Sequence, residues 1–79
     1  MVEIKAVEAL WASAMAPEGL VERWLVLDAA AVAAGQAVVE LRIEDALHVL
    51  QSPAAGQLTI LAAVNDVIEP GSVLARVEA

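Results

Sequence analysis

The chain has no cysteine, no phenylalanine and no tyrosine. Without cysteine there is no disulfide, no thiolate nucleophile and no zinc–cysteine site. A cysteine-free chain tolerates either redox state, so its compartment is not constrained by this. Cations are scarce. Lys5, Arg23, Arg42 and Arg76 stand against 11 acids, for a formal net charge of −7. Phosphate backbones are held by clustered cations, so nucleic acid is not expected as a partner. The acidity serves solubility or presents an acidic surface to a basic partner. No apolar run reaches the roughly 18 residues a membrane-spanning helix needs. Glu22, Arg23, Asp28, Glu40 and Arg42 cut the longest candidates, so no membrane partner is expected. Met1 to Lys5 lacks the basic start and apolar run of a signal peptide. A soluble, cytoplasmic protein is expected.

What the chain does have is aliphatic residue. It is 61% hydrophobic, with a mean hydropathy of +0.74. Much of this is alanine, which buries little area per residue. Its 79 residues suffice for one small domain with a marginal core. Residues 1–79 are therefore expected to form a single domain, with no linker or low-complexity tail.

Local signals compete. Val7, Leu10, Trp11 and Ala14 fall at helical spacing. Asp28 ahead of Ala29, Ala30 and Ala31 looks like a helix N-cap. Propensity alone would give a mixed α and β chain. The second half points elsewhere. Leu41 and Ile43 alternate with Glu40, Arg42 and Glu44, the period of a half-buried strand. Leu47 and Val49 continue an apolar face beyond Asp45–Ala46. Two strands, Val38 to Glu44 and Leu47 to Gln51, are expected with a tight reversal between them. Asp45 at its tip suits turn geometry.

A weak internal repeat supports an all-β chain. Gly19-Leu20-Val21 leads to Trp24-Leu25-Val26, as Gly56-Gln57-Leu58 leads to Leu61-Ala62-Ala63-Val64. Gly35 to Leu41 parallels Gly71 to Val77 at the same interval to within one residue. Each half reads glycine, strand, loop, glycine, strand. The glycines can supply positive φ in turns. Two similar halves imply two sheets facing one core. Pro17-Glu18-Gly19, Ser52-Pro53 to Gly56, and Glu69-Pro70-Gly71 punctuate the map.

Side chains with chemistry are few. His48 is the single histidine and has no second histidine or cysteine to complete a metal site. Glu44, Asp45 and His48 form at most a weak acid–imidazole cluster. Glu44 and Asp45 are adjacent, and neighbouring strand residues point to opposite faces. Ser13, Ser52 and Ser72 lack a local base and a Gly-x-Ser-x-Gly elbow. There is no phosphate loop. No catalytic residue and no metal ligand is assigned, and the chain is not expected to be an enzyme. Of the two tryptophans, Trp24 is expected in the core and Trp11 over a barrel end, although either could anchor an interface.

Ordered along the chain, these residues resemble a lipoyl domain. Such domains, from acyltransferase components of 2-oxo acid dehydrogenase complexes, often open with Pro-Lys-Trp-Gly-Leu-Ser-Met-Thr-Glu-Gly. Here Trp11, Met15, Glu18 and Gly19 match, with Pro17 inserted and with Ala9 and Ala12 in place of the proline and first glycine. Trp24 matches the tryptophan of the next strand. Val32 and Gly35 match the turn Gly-Asp-x-Val-x-x-Gly, with Ala29 and Ala30 replacing its first two residues. Glu40-Leu41, Ser52-Pro53, Gly56 and the last strand from Gly71 to Val77 also match. The resemblance covers nearly the whole chain. It implies a barrel-sandwich hybrid of two short, mostly antiparallel sheets with quasi-twofold symmetry.

The departure falls at the attachment turn. Where the family has Glu-Thr-Asp-Lys-Ala, this chain has Arg42-Ile43-Glu44-Asp45-Ala46. The position of the modified lysine is Asp45, and the Met-Lys-Met of related biotin carriers is absent. Lipoate and biotin are attached through an amide to a primary amine, which a carboxylate cannot supply. The acid also reverses the charge a modifying ligase would meet. Lys5, the single lysine, lies far away in the first strand. Neither cofactor is expected. The resemblance thus implies a non-catalytic binding or structural module, docking to 2-oxo acid dehydrogenase-type components. The alternatives are an oligomerisation module of a larger assembly, by self-association, or a carrier modified at Lys5.

Overall fold

The computed structural model describes residues 1–12 and 14–79, so Ser13 lies outside the described residues. The chain runs β1 (Val2–Lys5), a 3-10 turn (Glu8–Trp11), β2 (Gly19–Trp24), β3 (Ala31–Val32), β4 (Ala37–Ile43), β5 (Ala46–Gln51), β6 (Gly56–Ile60), β7 (Val67–Ile68) and β8 (Val73–Glu78). The strands form two four-stranded sheets, β1-β8-β6-β3 and β5-β4-β2-β7, with every pairing antiparallel. The all-β sandwich read from the repeat is the fold.

Its quasi-twofold symmetry is visible strand by strand. Exchanging β5, β4, β2 and β7 for β1, β8, β6 and β3 turns one sheet order into the other. Hydrogen bonds follow the same exchange. Asn65 N–H donates to Val21 C=O, as Ala29 N–H donates to Leu58 C=O, both at 2.8 Å. Gly35 N–H reaches Ser52 C=O at 2.7 Å, as Gly71 N–H reaches Ala6 C=O at 2.8 Å. Positive φ recurs at matched turns: 67° at Ala29 with 73° at Asn65, and 84° at Gly35 with 92° at Gly71. The glycines of the sequence repeat divide by role. Gly35 and Gly71 supply backbone freedom. Gly19 supplies space, since a Cβ there would lie 2.8 Å from Ile43 Cγ1, and Gly56 supplies both, with φ at 155° and a Cβ that would run into the Glu78 carbonyl.

The core lies between the sheets and is built from matched aliphatics: Val21 with Leu58, Val38 with Leu74, and Leu41 with Val77, all essentially sealed. Each such side chain contributes about 1.5–3 kcal/mol of burial, which a small domain needs in full.

The helical signals resolve otherwise. In place of a helix there is a single 3-10 turn, Glu8–Trp11, held by bonds such as Leu10 N–H to Val7 C=O at 3.1 Å. Asp28 caps no helix. Its carboxylate accepts the Ile60 N–H at 2.9 Å, across to the other sheet, and Ala29 turns left-handed beside it. Alanine's helix propensity yields here to strand pairing on both sides. Both tryptophans join the core, Trp24 packing against it from the side and Trp11 more deeply than expected of a barrel-end cover. Trp11 is 8% exposed and belongs to the core. Trp24 is half-buried and donates its indole N–H to Ala62 C=O at 2.8 Å.

Candidate functional site

The feature set apart by sequence is the β4–β5 hairpin. Its strands pair from Ala37 and Gln51 to Ile43 and Ala46, leaving Glu44 and Asp45 as a two-residue turn. The strand bounds shift slightly from the sequence reading, since Glu44 enters the turn and Ala46 begins β5. Tight hairpins need positive φ in the turn. Glu44, rather than Asp45, takes it, at 54°. Both acids are exposed. By the quasi-twofold relation, this closed end corresponds to the open end where β1 and β8 carry the termini, so the tip and the termini lie at opposite poles.

The base of the hairpin is packed into the core. Ile43 is buried and packs against the Gly19 backbone, with Trp11 beyond. Among the described residues the tip is tied laterally by the Met15 N–H, which donates to the Glu44 carboxylate at 3.1 Å. On the outer face, Arg42 donates to Glu22 at 2.8 Å, and Arg23 pairs with Glu40 at 3.2 Å. The hydrogen bond from Arg42 lowers the Glu22 carboxyl below its usual range, and the same bond raises the Arg42 guanidinium. Both groups are solvated, so this is a local ordering of the face rather than a large store of stability.

An open cleft of about 520 Å³ lies between the hairpin and the 3-10 turn with residues just beyond it. Leu10, Ala12, Ala14 and Ile43 give it apolar walls, and Glu44, Asp45 and His48 give it a polar rim. The structure therefore gathers the acid–imidazole group noted in the sequence. His48 pairs with Leu41 and is half-buried on the inward side of β5. Among the described residues no hydrogen bond joins it to either acid, and no three His, Cys, Asp or Glu side chains converge as a metal site would require. Ser52 and Ser72 serve turns. The Ser52 hydroxyl donates to Ala54 C=O at 2.6 Å, and the Ser72 hydroxyl accepts the Glu69 N–H at 2.9 Å. Among the described residues no helix is long and apolar enough to cross a membrane.

Sequence reasoning missed the outer face of this hairpin. Leu47 and Val49 are 51% and 52% exposed on β5, at the edge of its sheet. The sequence reading made them continue the apolar face of Leu41 and Ile43, but the register sets them opposite Arg42 and Glu40 on the outer face, and strand order then places them at an edge.

With the fold and hairpin in place, comparison with known families gives one result. The model of the biotinyl/lipoyl attachment family, described as "Biotin-requiring enzyme", matches residues 11–77. The chain belongs to that family, whose domains are carriers that work with partner enzymes and are not themselves catalytic. No curated protein matches the chain.

Proposed function

We propose that residues 1–79 act as one lipoyl-like domain without a modifiable lysine. It is a non-catalytic binding or structural module that docks to 2-oxo acid dehydrogenase-type components and carries neither lipoate nor biotin. Its proposed setting is the cytoplasm.

The observation that carries this reading is the chemistry of the hairpin tip. The family's prosthetic groups form an amide with a primary amine. The tip offers the carboxylates of Glu44 and Asp45, so its residues do not fit the group. The one lysine, Lys5, sits in β1 and pairs with Glu3 at 3.6 Å. It shares a groove with Leu50 and Gln51, at the end of β5 remote from the tip. At a rise of about 3.3 Å per residue, that is roughly 20 Å along the strand. A ligase that recognises an extended tip would find no nucleophile there.

Incubation with lipoate and biotin ligases tests this directly. The chain is expected to keep its bare mass, whereas the Asp45→Lys variant gains one prosthetic group at the tip. Modification of the unaltered chain at Lys5 overturns the proposal.

A further inference from the structure

Of the four sheet edges, one is unguarded. β3 and β7 have two residues each, too few to template another strand. β1 carries Glu3 and Lys5, the kind of charge that blunts an edge. β5 has six residues, Ala-Leu-His-Val-Leu-Gln, with no proline, acid, lysine or arginine. It ends its sheet. Among the described residues no backbone hydrogen bond outside the β4 ladder reaches Ala46 to Gln51.

The geometry of the hairpin says which groups are free. A two-residue turn makes Ile43 and Ala46 the closing hydrogen-bonded pair. Alternation along the ladder then turns the N–H and C=O groups of Leu47 and Val49 to the free edge. The side chains of the same two residues stand exposed on the outer face. Charge does not oppose approach at this face. The Arg42–Glu22 and Arg23–Glu40 pairs neutralise this face, although the chain as a whole carries −7.

We propose that the β5 edge receives β5 of a second copy of this chain, antiparallel, about a twofold axis at His48. Residues directly opposite in an antiparallel pair share a face, so such an axis must pass through a residue rather than between two. At His48 it sets Leu47 against the partner's Val49 and Val49 against the partner's Leu47. Each of these pairs exchanges both backbone hydrogen bonds. Asp45 then lies opposite the partner's Gln51, and Glu44 opposite the partner's Ser52, so no acid meets an acid. An axis at Val49 would set Leu47 against a glutamine, and one at Leu47 would set Asp45 against the partner's Val49. A second copy also brings a strand already extended, which avoids the ordering cost of a flexible peptide. The result is one continuous sheet across two molecules. The inference is independent of whether the tip bears a prosthetic group.

Sedimentation of the full chain from micromolar to millimolar concentration, with single-thiol variants, tests it. The natural chain has no cysteine, so the thiol of the His48→Cys variant is alone. At the axis its Cα would lie about 4.5 Å from its mate, as in a non-hydrogen-bonded pair, within disulfide reach. A concentration-dependent dimer is expected, with rapid cross-linking of His48→Cys and cross-linking of Glu3→Cys about tenfold slower or more. Val49→Lys should weaken the dimer about tenfold or more while leaving the far-ultraviolet circular dichroism of the monomer unchanged. A monomer at every concentration overturns the proposal and leaves the edge to an extended segment of another protein. So does a dimer indifferent to Val49→Lys, or equal cross-linking of the two thiol variants.

Discussion

β1 and β5 are symmetry mates with different outer faces. Inward, they match: Ile4 and Leu50 turn to the core side, as do Val77 and Leu41 on the strands beside them. Outward, β1 presents Glu3 and Lys5 beside Arg76, whereas β5 presents Leu47 and Val49 beside Arg42 and Glu40. The same backbone therefore forms with either outer dressing. Inner residues specify the fold. Outer residues are free of that duty, and the apolar ones on β5 are those that the proposed β5 pairing would cover.

That division predicts large and small effects in the dilute monomer. Leu41→Ala in one sheet and Leu58→Ala in the other should each cost about 3 kcal/mol in urea unfolding, since both side chains are sealed. Leu47→Ala should change the same transition by less than about 0.5 kcal/mol. A cost for Leu47→Ala equal to that for Leu41→Ala would erase the distinction between faces.

The matched turns sharpen the comparison at a smaller scale. Ala29 and Asn65 share a left-handed conformation, which asparagine tolerates and alanine resists. Ala29→Gly should stabilise the chain by about 1 kcal/mol, and Asn65→Gly by only a few tenths. Thermal melts of the two variants check the order. Equal shifts would mean that the turns are not strained alike by their residues.

The smallest effect concerns the outer-face ion pair. The hydrogen bond from Arg42 depresses the folded Glu22 carboxyl below the usual carboxylate range. Its contribution is thus present above the unfolded pKa and is lost as pH falls through the lower, folded one. Unfolding followed from about pH 5 to pH 3 should show the natural chain losing slightly more stability than Arg42→Gln. The opposite slope would contradict the pairing.

These contrasts show what the sequence could reveal. The repeat was legible because both halves place glycine at corresponding turns, and β4 because Leu41 and Ile43 alternate with charged neighbours. The segment from Asp28 to Ala31 misleads because its helix-like cap and alanines are overruled by long-range bonds to Leu58 and Ile60. At the tip, the reversal was readable. The residue in the left-handed conformation was not, because the register of β4 with β5 assigns that duty to Glu44. The exposed pair on β5 stayed hidden for a related reason. A local period shows that alternate residues share a face, but the register decides which face, and only the strand order identifies an edge.

The central claim concerns the tip, and the most direct test is the intact mass of the protein purified from its own cells. The account predicts the mass of the bare chain, allowing for loss of Met1. A mass raised by one lipoyl or biotinyl group would contradict it and leave Lys5 as the lysine that bears the group.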